Sequence, residues 1–192
     1  MNCKRFNPPD RSFYYKPFFM DLENFDDFDH VPDFDEKRLF RGQEGEEWKN
    51  KELRATTRNL YLKAKEIYKL THTLVDTFPD GNQHGEYIKG AMIGYASIIP
   101  AKIAGAAGGF YSMQMEKAVI IRINIVDLRN TLWTCLTEEW CSEEYVEMMR
   151  AEIEQFRLLF VEWIKSFDKT NDYPDEWHLF NDPDGFPKEE EE

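Results

Sequence analysis

Three cysteines and four histidines are all that 192 residues contain, and neither type is spaced for chemistry. Cys3, Cys135 and Cys141 are odd in number and form no Cys-x-x-Cys pair. That pattern argues against a disulfide framework or a zinc knuckle and points to a reducing, cytoplasmic setting. No histidine has a glutamate three residues before it, so the Glu-x-x-His pairs of a di-iron helical site are missing. Asp175–His178 is the nearest approach, and His72 with Asp76 is too small a set for a defined metal site. Gly105 to Gly109 is followed by no Lys-Ser/Thr, and Tyr61 with Lys65 lacks the strand and glycine-rich turn of a dinucleotide site. Asp182-x-Asp184-Gly185 is too short for a calcium loop. The chain is therefore expected to bind no metal or cofactor and to carry no catalytic residues.

Long apolar runs are missing too. Gly90 to Phe110 is interrupted by Pro100 and Lys102, and its apolar part falls short of the roughly 20 residues a membrane span needs. The first residues, with Lys4, Arg5, Asp10 and Arg11, do not form a signal peptide. Positive charge is scarce, with 24 Lys and Arg against 37 Asp and Glu, a net charge of −13. Such an excess opposes nonspecific attraction to nucleic acid or anionic lipid. The acidity is concentrated at the ends. Residues 1–45 carry seven Lys/Arg against ten Asp/Glu, residues 46–167 fifteen against seventeen, and residues 168–192 two against ten.

What remains is helical. Residues 1–45 have no period and form an acidic-aromatic arm, with Phe25, Phe28 and Phe34 among eight acids between Asp21 and Glu36. This arm either packs on its own domain or docks on a partner. From about Glu46 the stripe Leu53, Thr57, Leu60, Ala64, Ile67, Thr71, Leu74 and Phe78 predicts a long helix ended by Pro79-Asp80-Gly81. Ile88, Ala91, Met92, Tyr95, Ile99 and Ile103 mark a second, with Gly90 and Gly94 placed to permit close packing. Pro100 and the glycines after it mark a helix–helix joint between Ser97 and Ser112.

Ser112 is placed to cap a third helix with the stripe Ala118, Ile121, Ile125, Leu128, Leu132 and Cys135. Val119, Ile120, Ile123 and Val126 make that helix apolar beyond one stripe, so they are candidates for a subunit interface. Ser142 caps a fourth helix with the seam Tyr145, Met149, Ile153, Phe156, Phe160, Trp163 and Phe167. Residues 46–167 thus predict an all-α, antiparallel up-down four-helix bundle, and 168–192 an acidic tail.

One charged feature stands out. Lys49, Lys51, Arg54, Arg58, Lys63, Lys65 and Lys69 crowd the first helix, whereas Glu138 to Phe167 carries eight acids and three bases. The two sets are either complementary across neighbouring helices or subunits, or the first is a basic face for RNA or a nucleoprotein partner.

Several residues also carry a family likeness. Tyr68-Lys-Leu-Thr71 before Phe78-Pro79, Ile99-Pro-Ala-Lys-Ile-Ala104, Gly108-Gly109 and the long third helix are similar to a bacterial four-helix-bundle family. It is named after intervening sequences in 23S ribosomal RNA and includes the accessory variability protein of diversity-generating retroelements. The resemblance spans about Leu53 to Phe167 and neither tail. Lys102 stands where relatives usually have Asn, and Gly105 where they have Glu. The resemblance implies a bundle that assembles into a ring-shaped homo-oligomer, commonly a pentamer. It also implies a scaffolding role or, alternatively, partnership with a reverse transcriptase and RNA.

Overall fold

Four long helices and one short one account for most of what a computed structural model of the chain describes, namely residues 31–41, 45, 48, 50–173 and 177–180. Most of the expected arm, Lys49 and much of the acidic tail lie outside the described residues, as do Cys3, Phe25, Phe28, Asp175, Asp182 and Gly185. The chain divides into one unit ending at Pro32 and a second from Asp33 onward, and all that follows concerns the second. Among the described residues there is no strand.

Helix α1 (Glu36–Leu39) is a single turn capped by Asp35, whose carboxylate accepts the Arg38 amide at 3.1 Å. The long helices are α2 (Lys51–Val75), α3 (Gln83–Ala106), α4 (Tyr111–Thr137) and α5 (Glu143–Lys165). Helix α2 packs on α3 and α5, and α4 packs on the same two. Each helix turns a seam at a spacing of three and four inward: Leu60, Ile67 and Leu74 from α2, Met92, Ile99 and Ile103 from α3, Ile121, Leu128 and Leu132 from α4, and Met149, Phe156 and Trp163 from α5. Fully burying one such side chain contributes about 1.5–3 kcal/mol before conformational entropy is counted. The Trp163 indole donates to Thr57 Oγ1 at 3.1 Å, so the one polar edge of this large ring is satisfied in the core.

The joint is shorter than its sequence suggests. Pro100 does not end α3; the helix continues to Ala106 with Pro100 buried inside it. A proline removes one backbone donor, and burial of Ala96, Ile99, Ile103 and Ala106 on either side holds the helix together. The chain then reverses over residues 107–110, where Gly108 takes φ +71°, a backbone conformation that favours glycine.

Ser112 is not the cap of α4. Phe110 occupies that position without a side-chain bond, and Ser112 lies buried in the first turn. The capping group comes from beyond α5: Asp172 Oδ1 accepts from the Ser112 amide at 3.0 Å and from its hydroxyl at 2.7 Å, while the Tyr111 amide donates to the Asn171 carbonyl at 2.8 Å. Ser142 does cap α5, and Asn82 caps α3 by accepting from the His84 and Gly85 amides.

Candidate functional site

The basic residues of α2 divide among three surroundings. Lys63 faces α5, where it donates to Glu152 at 2.8 Å and also pairs with Glu66. Burial works against its charge and the two carboxylates more than offset this, so its pKa is raised. It is not part of a basic face, because its position on the helix is about 200° from Lys65 at roughly 100° per residue. Arg54 and Lys65 are held by the segment before α2. Arg54 pairs with Glu36 at 3.2 Å and lies over the Phe40 ring at 4.5 Å, while Lys65 donates to Asp33 at 2.8 Å. The Lys65 hydrogen bond and charge hold the Asp33 carboxyl below its usual range. With Phe34 on the Tyr61 ring, this segment of the arm packs on its own domain.

Lys51, Arg58 and Lys69 are left. They are exposed, in no ion pair among the described residues, and spaced seven and eleven apart on one outer stripe of α2. Near the start of this stripe a cavity of about 550 Å³ opens between Glu36, Trp48, Lys51, Arg54, Arg58 and Asn59. Trp48 was missed by sequence reading because it precedes the helix and falls in no period.

The second surface lies outside α3 and α4. Val119 and Ile123 are 42% and 49% exposed, and Ile120 and Val126 are half-buried. Met115, Val119, Ile123, Val126 and Trp133 follow one another at spacings of four, four, three and seven, so they form a single outward stripe opposite the buried seam. Trp133, 60% exposed, extends the stripe toward the end of α4. Continuing the spacing from Val126 would have found it in the sequence.

On α3 the outward stripe holds the small residues Gly90, Gly94, Ala101 and Gly105, with the exposed Tyr87 and Ile98 among them. A Cβ placed on any of these three glycines would meet no atom within 4 Å. The close packing expected of Gly90 and Gly94 is therefore not made among the described residues. From Tyr87 to Met115 there is no Asp or Glu, in a chain that has 37 of them.

Among the described residues no three His, Cys, Asp or Glu side chains are grouped as a metal ion would need. His72 is half-buried against the Tyr68 ring at 4.5 Å, and burial lowers its pKa against the pull of Asp76. Cys135 is buried beside Met92, and burial pushes its thiol up to about 12, where it is inert. No helix among the described residues is long and apolar enough to cross a membrane. No protein-family model, curated protein or solved structure matches the chain.

Proposed function

We propose that the four long helices form an antiparallel up-down four-helix bundle, and that the chain assembles with further copies of itself through the outer face of α3 and α4. It then acts as a noncatalytic binding or scaffolding subunit. The observation that carries this reading is the pairing of an exposed apolar ridge on α4 with outward glycines on α3 that meet no side chain among the described residues.

Each glycine in a helix interior costs about 1 kcal/mol relative to alanine, and here no contact among the described residues offsets it. A helix from another copy would. Val119, Ile123 and Val126 have the bulk that fits against Gly90, Gly94 and Gly105, where small residues let backbones approach. The loss of acids from Tyr87 to Met115 matches the depletion of charge in interface cores. Ridge and groove lie on one face, so two copies can exchange the contact reciprocally as a dimer, or each copy can pass it on head to tail, which closes into a ring when the rotation allows. The pentameric ring implied by the family resemblance is of this kind.

Sedimentation velocity of the full chain tests the proposal. The native chain should run as an oligomer at micromolar concentration, and Val119→Glu with Ile123→Glu should run as a monomer of unchanged helix content. A native monomer, or a doubly substituted oligomer of unchanged size, removes the basis of the reading.

The second reading, an RNA or reverse-transcriptase accessory subunit, is favoured by the exposed row of Lys51, Arg58 and Lys69. Its test belongs on Arg58 and Lys69 rather than Lys63 and Lys65, which already hold carboxylates.

A further inference from the structure

Another outward surface lies between α4 and α5, away from the glycines of α3. Helices α4 and α5 pack on each other and are joined by residues 138–142, so they run antiparallel. The hydrogen bond from Arg157 holds the Glu154 carboxyl below its usual range, and the charge of Arg129 adds to this from across the helix pair. That proximity sets the register. Counting from it along both helices brings Val126 level with Arg157, Trp133 with Arg150, and Arg122 with Val161. On each helix these residues step by four, three and four, so each set is one stripe, and the two stripes border a common groove.

Four arginines border this groove against two carboxylates, Glu147 and Glu154, in a chain whose net charge is −13. Arg150 donates to Glu147 at 2.6 Å, and Arg157 to Glu154 at 2.6 and 2.8 Å. Both are pairs between neighbours on one helix, which hold their partners weakly. Arg122 and Arg129 are exposed and make no hydrogen bond or ion pair among the described residues. The other acids of the two helices belong elsewhere. Glu152 holds Lys63 of α2, and Glu143 continues the stripe only beyond Arg150, at the closed end by the connection. Glu144, Glu162 and Asp127 lie about 110–130° round from these stripes at roughly 100° per residue. The α3 face gives the arginines no counter-charge either, since it has no acid from Tyr87 onward.

The groove is also apolar. Trp133 is 60% exposed, and its ring meets no other ring or cation among the described residues; Val161 is 37% exposed and Val126 half-buried. Tryptophan and arginine are enriched among the side chains that dominate binding at protein interfaces. Arginine's planar fork takes a carboxylate through two parallel hydrogen bonds. Arg122 and Arg129 stand roughly 10 Å apart along the axis, which is also the separation of two acids seven residues apart on a facing helix. Val126 and Val161 call for aliphatic side chains, which a nucleic-acid backbone lacks. We infer that the groove between α4 and α5 docks an acidic amphipathic helix of a partner protein, its carboxylates on Arg122 and Arg129 and its apolar edge on Val126, Val161 and Trp133.

Fluorescence anisotropy of a labelled 21-residue helical peptide tests the assignment. The peptide carries leucine at the first and fourth positions of each heptad and glutamate at the fifth and seventh. It is compared with the same peptide bearing glutamine for glutamate and with a single-stranded RNA decamer. The acidic peptide should bind the full chain at micromolar concentration, at least tenfold more tightly than either comparison. Arg122→Glu and Trp133→Ala should each weaken it at least tenfold, whereas Lys69→Glu, on the outer stripe of α2, should change it less than twofold. Arg122 and Trp133 are exposed, so helix content by circular dichroism should be unchanged in both variants.

The inference is overturned if the acidic peptide does not bind at hundreds of micromolar, if the glutamine peptide equals it, or if Lys69→Glu is as damaging as Arg122→Glu. RNA binding as tight as the peptide, with the same dependence on Arg122, also overturns it and makes the groove a polyanion site. Without peptide, Arg122→Glu and Trp133→Ala should sediment as the native chain does. A changed size places these residues in a contact between copies instead and overturns the inference too. Peptide titration and native sedimentation are separate readouts, so this inference and the assembly proposal can each fail while the other stands.

Discussion

Replacing Gly94 and Gly105 with alanine should strengthen the isolated subunit and weaken the assembly, two effects of opposite sign from one pair of methyl groups. Both positions are helical, and the space where each Cβ would sit is empty to 4 Å among the described residues, the helix's own backbone aside. Alanine in a helix interior is favoured over glycine by about 0.5–1 kcal/mol. The two sites are roughly 16 Å apart along the axis, too far to couple, so their effects should add to about 1–2 kcal/mol. At about 2–4 °C per kcal/mol for a domain of this size, the melting temperature of the dilute subunit should rise by about 2–8 °C. In the oligomer the same methyls enter a packed helix contact, where added bulk typically costs about 1–3 kcal/mol, or roughly five- to 150-fold in association. Differential scanning fluorimetry across a dilution series, with sedimentation equilibrium on the same samples, reads both quantities. A rise in melting temperature with association unchanged would show that the glycines serve no contact between copies. A fall in melting temperature at high dilution would show that the space is not open in the free subunit, and the argument would fail at its first step.

The Thr57–Trp163 bond and the Asp172 cap give two further expectations. Thr57→Val leaves the buried Trp163 N–H without its acceptor and should cost about 1–3 kcal/mol in urea denaturation. In a Trp163→Phe background the same change should cost clearly less, and strictly additive losses would refute the pairing. Burial raises the Asp172 pKa, but hydrogen bonds from Ser112 and Tyr173 outweigh it and leave the carboxyl below its ordinary 3.8. A lowered folded pKa means that the stabilisation is complete above the unfolded value and is lost as pH falls through the folded one. Asp172→Ala should therefore cost about 1 kcal/mol at neutral pH, a usual magnitude for a lost cap, and the gap from the native chain should close as pH drops below that range. A gap that stays constant with pH would show that the carboxylate is not the group responsible.

The inward seams were legible because period alone defines them: Leu60, Ile67 and Leu74 are buried as their spacing requires, and so are Phe156, Phe160 and Trp163. Val119 and Ile123 were legible as surplus apolar surface for the same reason. Period does not reveal which neighbour covers a charge. Lys63 and Lys65 were grouped on one face, although residues two apart in a helix never share one, and only packing shows that one meets α5 and the other the segment before α2. At Pro100 the sequence shows the local cost of a proline, while the burial that overrides it comes from residues on either side. The capping of α4 by Asp172 was not legible, because a turn of polar residues after α5 gives no sign of the helix it reaches.

That long-range cap imposes an order on synthesis. As α4 emerges from a ribosome its first amides have no protein acceptor, and the carboxylate that satisfies them is made only after the whole of α5 has followed. The start of α4 can thus be sealed only when the last long helix is in place. A nascent chain halted short of Asn171 would carry a frayed end next to Phe110 and Met113, two exposed apolar side chains.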